Sequence, residues 1–269
     1  MRFQKSLISA IVILVALVTI IGLSGLNLIA PRSVQNIESP EVEQSISMEK
    51  FFLTANDSVK IAANFYSISN PAGWIVFSHM MPATKESWDD LATNFQNSGY
   101  ESISIDFRGH GESDGGPDGY NNFSDSEHQK SILDLNAAVD YLIKERGATP
   151  DKISFIGASI GANLSLQYIS EHPEFKTTVL LSPGLDYRGL KTESLAKNLK
   201  AGQRVFFVSS RDDDRSGGNN ADQNQKLYDS VPTGVHKEIK IYDTAGHGTD
   251  MLQKQSDLKQ SIFAFISNG

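Results

Sequence analysis

Side chains able to do acyl chemistry recur at element ends along this 269-residue chain: a serine between glycines, a run of aspartates and a histidine between glycines. The serine is Ser159, in Gly157-Ala158-Ser159-Ile160-Gly161, where an apolar, β-rich run passes into a helical pattern. A strand-to-helix turn tight enough to expose Oγ brings the residues two before and two after the serine onto each other's backbone, so both must be glycine. The hydroxyl then sits at a helix N-terminus, where nearby amides can hold an oxyanion. A nucleophilic serine needs a base, and the base an orienting acid. With a serine in this strand–turn–helix setting, they follow in the order serine, acid, histidine.

Three histidines lie beyond Ser159. His172, in Ser-Glu-His-Pro, fits a helix end, and His236 opens a strand-like run without catalytic context. His247, in Ala-Gly-His-Gly-Thr, falls in a loop just after the last strand-like run, with Gly246 and Gly248 free to turn the backbone, and is the candidate base. The acid should follow the run Arg204–Ser210, where Arg-Asp-Asp-Asp-Arg supplies Asp212, Asp213 and Asp214. Asp213, three residues past the strand end, is preferred; the other two remain open, and Asp186 after the preceding strand is an alternate.

The elements that must position these residues alternate strand and helix. Residues 51–67 read as a hairpin turning at Asn56-Asp57-Ser58, and 74–79 as a buried strand. Trp88, Leu91, Ala92 and Phe95 form a helical stripe closed by Gly99. A strand at 100–107 is followed by a loop, then a helix over about 126–145. Strands at 152–157, 177–183, 204–210 and 237–243 alternate with helices after Gly161, near 220–229 and from Thr249 to the end. This alternation implies an α/β architecture, a mostly parallel, doubly wound sheet of about eight strands with sites at the strands' carboxyl ends. The segment from Pro183 to Arg204 has room for one short helix and no large lid domain.

The net charge is −8, and about −10 without the N-terminal cations Arg2 and Lys5, which argues against a nucleic-acid partner. Without cysteine there are no disulfides, thiolate zinc sites or thiol nucleophiles. The Gly/Asp/Asn-rich stretch 111–125 lacks the spaced ligands of a calcium loop and reads as a rim, so no metal is expected. Leu7 to Ala30 is an uncharged, mostly apolar run of about 36 Å as a helix, longer than a cleavable signal core. Residues 1–30 are therefore expected to be a transmembrane signal-anchor, 31–50 a tether and 51–269 the catalytic domain. The positive-inside bias puts that domain outside the cytoplasm, with secretion after signal cleavage as the alternative.

The pieces FSHMMPATKESWDDLA, DFRGHGES, GASIG, SSRDDD and AGHG, in this order, resemble the α/β-hydrolase-fold serine hydrolases, in the group of serine aminopeptidases, monoacylglycerol lipases and dienelactone hydrolases. The resemblance spans about 51–269. It implies a hydrolase acting on a small ester, acyl or short peptide substrate, with Ser159, Asp213 and His247 as triad and no cofactor. It further implies an oxyanion hole from the backbone N–H groups of Ile160 and Met81, although His79-Met80-Met81 has methionine where such proteins often have glycine. Arg108 and His110 are expected to shape their loop, and Met80, Met81 and Tyr187 to offer an apolar wall. Peptidase, acyltransferase and non-catalytic binding protein on the same fold are the alternatives.

Overall fold

The computed structural model describes residues 47–215 and 217–269. The chain runs through β1 (Ser47–Thr54), β2 (Lys60–Ser67), β3 (Gly73–Ser78), α1 (Asp89–Asn97), β4 (Tyr100–Ile105), α2 (Asp125–Gln129), α3 (Ile132–Arg146) and β5 (Ile153–Ala158). It continues through α4 (Ile160–Glu171), β6 (Thr177–Leu181), β7 (Asp186–Tyr187), β8 (Leu190–Lys191), α5 (Thr192–Asn198) and β9 (Arg204–Ser210). It ends with β10 (Asp214–Arg215), β11 (Gly218–Asn219), α6 (Asn220–Ser230), β12 (His236–Tyr242), α7 (Asp250–Lys254) and α8 (Leu258–Ser267).

Eight strands form one sheet in the order β1-β2-β4-β3-β5-β6-β9-β12. β1 and β2 pair antiparallel, β2 also meets β4 antiparallel, and the remaining pairs are parallel. The period of two in each strand explains the layers. In β3, Trp74 and Val76 join one apolar cluster while Ile75 and Phe77 join the other, and in β9 Val205 and Phe207 separate likewise from Phe206 and Val208. With helices covering both faces, these central strands read as continuous apolar runs.

Four features depart from the sequence expectation. β1 begins at Ser47, inside the expected tether. The helix expected over about 126–145 is two: α2 opens on a reciprocal capping box between Ser124 and Glu127, and α3 ends on Gly147 at φ 68°. The closing helix is likewise broken into α7 and α8. The 183–204 segment holds the β7–β8 hairpin as well as the expected short helix, α5. The expected transmembrane segment lies outside the described residues, among which no helix is long and apolar enough to cross a membrane.

Candidate active site

The glycines flanking Ser159 are required by contact. A Cβ on Gly157 would lie 2.4 Å from the Gly161 carbonyl oxygen, and one on Gly161 would lie 2.4 Å from Ser78 O and 2.7 Å from His79 O. Ser159 itself holds φ 53° and ψ −117°, a conformation L-residues rarely adopt. Its N–H is tied to Leu181 O at 2.8 Å, and its carbonyl accepts from Asn163 N–H at 3.1 Å. The Ser78 hydroxyl donates to Gly161 O at 3.0 Å, which fastens α4 to the end of β3. From Ile153 to Leu166 only Ser159 escapes full burial. Ile160 is the first residue of α4, so its amide is among those without an acceptor inside the helix.

Met81 lies in the loop that follows β3, the same loop whose His79 carbonyl faces Gly161. His79 fixes its course. Its Nε2 accepts from Phe107 N–H at 3.0 Å, so Nδ1 carries the proton and donates to Met80 O at 2.9 Å. Complete burial, aided by neighbouring His110, holds this imidazole down at about 3, which keeps it neutral and its tautomer set. With Met80 O drawn onto the His79 ring, the N–H of Met81, on the opposite side of the same trans peptide, is turned away from it.

His247 is held from three sides. Its Nδ1 donates to Asp213 Oδ2 at 2.5 Å, leaving Nε2 as the nitrogen able to accept a proton. The next residue, Gly248 at φ 57°, donates its N–H to Ser182 Oγ at 2.9 Å. A Cβ on Gly248 would lie 2.5 Å from Met80 Sδ and 3.4 Å from Ala158 Cβ. The histidine loop is thus wedged between the residue preceding the serine and the loop that carries Met81. Among the described residues no hydrogen bond joins Ser159 Oγ to His247, a link that is commonly long before substrate binds.

The three aspartates have separate tasks. Asp213, its side chain 2% exposed, contacts His247 through Oδ2 and accepts from Arg215 Nε through Oδ1 at 2.6 Å. Burial works to raise its carboxyl, but the His247 bond and Arg215 outweigh it and hold the group below the usual range. Asp212 is a clamp: its Oδ1 accepts from the Ser210 hydroxyl and from the N–H groups of Ala245 and Gly246, both at 3.0 Å. Asp214 is exposed and accepts from Asn219 Nδ2 at 2.7 Å; Asp186 is exposed on β7. His172 caps the C-terminus of α4, and His236 pairs with Glu238 at 3.0 Å on the surface.

The Asp212 clamp has a pH signature. Ser210 and the two amides hold its carboxyl down at about 2. A folded value below the unfolded one adds stability that is complete above the ordinary carboxylate range and is lost as pH falls through about 2. Asp212→Asn, which does not titrate, is expected to melt below wild type near pH 7, with the gap closing by pH 2. Melting curves whose separation is the same at both pH values would rule out the charged clamp.

Sequence reasoning missed one support. Lys85 is 1% exposed yet charged; it pairs with Asp106 at 2.8 Å and Glu112 at 2.6 Å, and its N–H donates to Asp106 Oδ1. Asp106 therefore ties the far end of the Met81 loop to the loop after β4, and Gly111 has no room for a Cβ against that carboxylate. Arg108, expected to shape its loop, does so through Asp134 at 2.7 Å and Asp57 at 2.6 Å, while His110 stacks on Tyr120. Tyr187 stands edge-on to His247, ring centroids 6.4 Å apart.

This sheet with a serine elbow between β5 and α4 defines the α/β hydrolases. More narrowly, the family model of serine aminopeptidases, S33, matches residues 69–212, just over half of the chain, which belongs to that family. In fold the chain is similar to the esterase Pf2001 of Pyrococcus furiosus (TM-score 0.67, 19% identity, 83% of this chain and 93% of that one). It is also similar to acetyl xylan esterase 1 of Thermoanaerobacterium sp. (0.64, 16%, 85% and 87%). A predicted hydrolase of Thermoplasma acidophilum is a further neighbour (0.62, 16%, 84% and 100%). Curated protein sequences give no match.

Proposed function

We propose that this α/β hydrolase cleaves a carboxylic ester or related acyl bond through an acyl-enzyme on Ser159. His247 Nε2 accepts the serine proton as Oγ attacks the carbonyl carbon, then delivers it to the leaving group; Asp213 holds the imidazole and stabilises the imidazolium. The amides of Ile160 and Met81 receive the oxyanion, each worth about 3–4 kcal/mol in such a site. Water then releases the acid. The observation that carries this reading is the seat of the His247 loop on Ala158 and Met80 while its ring holds Asp213. The S33 family favours aminoacyl amides as the competing substrate class. On the same reading, residues 1–30 anchor the protein in a bilayer and the chain up to β1 tethers an extracytoplasmic hydrolase.

A fluorophosphonate probe is expected to label the wild-type protein at Ser159, read by mass mapping of the adduct. p-Nitrophenyl esters of increasing chain length, set beside aminoacyl p-nitroanilides, then assign the substrate. Absence of labelling would favour a non-catalytic binding protein; amide turnover above ester turnover would make it a peptidase.

A further inference from the structure

Asp213 spends its second oxygen on a full positive charge. Its side chain is almost completely buried, with Oδ2 on His247 and Oδ1 on the Nε–H of Arg215 at 2.6 Å. Arg215 belongs to the small β10–β11 ladder, where it pairs with Gly218. Asn219 closes that hairpin by donating to Asp214 Oδ1 and to Arg211 O at 2.8 Å. The arginine is therefore delivered to the carboxylate by its place in this ladder, although its own side chain is 41% exposed.

We propose that Arg215 is a positioning residue for the acid–base pair: it holds the outer oxygen of Asp213, turns the inner one toward His247 and resists protonation of the imidazole. The inference rests on the triad reading above. A neutral donor would satisfy the same lone pair; a guanidinium also opposes a second cation on one carboxylate. The imidazolium formed during attack, sharing one carboxylate with a guanidinium, then gives its proton up more readily to the leaving group.

Among the described residues, no other charged or titratable side chain hydrogen-bonds the Asp213 carboxylate. Asp212 is bound by Ser210 and the 245–246 amides, and Arg211 pairs with Asp243 at 3.6 Å. Asp214 is bound by Asn219, and Lys254 Nζ lies against Gly246. Asp250 opens α7 with its N–H on His247 O, and the Tyr187 hydroxyl accepts from Asn220 Nδ2 at 3.3 Å. From β3, β5 and β6 come Met80, Ser159 and Ser182, all uncharged.

The test is the acid limb of kcat/KM for a p-nitrophenyl ester, read at the isosbestic wavelength, on the full-length protein. Arg215→Gln is expected to move that limb up by about one pH unit, with the fold retained and a small fall in melting temperature, since Asp213 loses one of its charge partners; Arg215→Lys, which keeps the charge, stays near wild type. Because the guanidinium is partly exposed, 1 M salt moves the wild-type limb part-way toward that of the glutamine variant and leaves the variant where it is. A limb in Arg215→Gln that superimposes on wild type overturns the proposal. A second readout needs no turnover: in Ser159→Ala, adding Arg215→Gln is expected to broaden the downfield Nδ1–H proton resonance of His247, and an unchanged resonance also overturns it. Hydrolysis that survives in Ser159→Ala would instead strike the triad reading.

Discussion

Ser159→Ala is expected to lower kcat for an ester by about 10⁴- to 10⁶-fold, leaving the residual rate that an oxyanion hole and binding alone supply. Substrate affinity should change little, because the hydroxyl acts on the reacting carbon and does not hold the rest of the substrate. Stability separates this variant from Ser159→Gly. Ser159 sits at φ 53°, ψ −117°, at a cost on the order of 1–3 kcal/mol for a residue with a Cβ. Alanine inherits that cost. Glycine does not, and gives back only about 0.5–1 kcal/mol in unfolded-chain freedom. Ser159→Gly should therefore be as inactive as Ser159→Ala yet melt about 2–4 °C higher for each kcal/mol relieved. More than one hundredth of wild-type kcat in Ser159→Ala would dismiss the nucleophile; equal melting temperatures would dismiss the strain.

Asp213→Asn is the second large effect, a loss of about 10⁴ in kcat with the fold retained. An amide in place of the carboxylate either presents N–H₂ to His247 Nδ1, reversing the tautomer so that Nε2 carries the proton, or leaves the imidazolium without its counter-charge. Both outcomes disable the base at the atom that must accept the serine proton. The neighbours provide the control. Asn at 212 can still accept from the Ala245 and Gly246 amides, and among the described residues the 214 side chain is hydrogen-bonded only to Asn219, so either substitution should cost less than about tenfold. If Asp212→Asn or Asp214→Asn matched the loss at 213, the hydrogen bond at 2.5 Å would not be the working one.

The aspartate run also shows where sequence stops being informative. Charge and position after a strand identify three carboxylates, but which one meets the imidazole depends on turn dihedrals that follow from the Ser210–Asp213 and Asn220–Asp213 backbone bonds. The parallel core strands were readable because burial on both faces makes them long apolar runs. The β7–β8 and β10–β11 hairpins were not, because two-residue strands have no period to detect, and they carry Tyr187 and Arg215 to the site. Lys85 was hidden for another reason: a lysine before an amphipathic helix reads as solvated, and its three carboxylate partners are scattered through the chain, at Glu86, Asp106 and Glu112. The elbow glycines were legible because their steric demand is local.

The antiparallel first hairpin has a mechanical consequence. β1 is the outermost strand, four places from β5 and seven from β12, so at about 4.8 Å per strand the chain enters the sheet some 19 Å from the serine strand and 34 Å from the histidine strand. Tension arriving at Ser47 acts on the pair Ser47–Ser67 first, and the ladder then opens one rung at a time toward Thr54–Lys60. Such unzipping loads single hydrogen bonds in succession and yields at low force. A pull from the N-terminal side is absorbed by peeling an edge ribbon before it reaches the strands that hold the elbow, so β1 works as a fuse between whatever lies upstream and the chemistry.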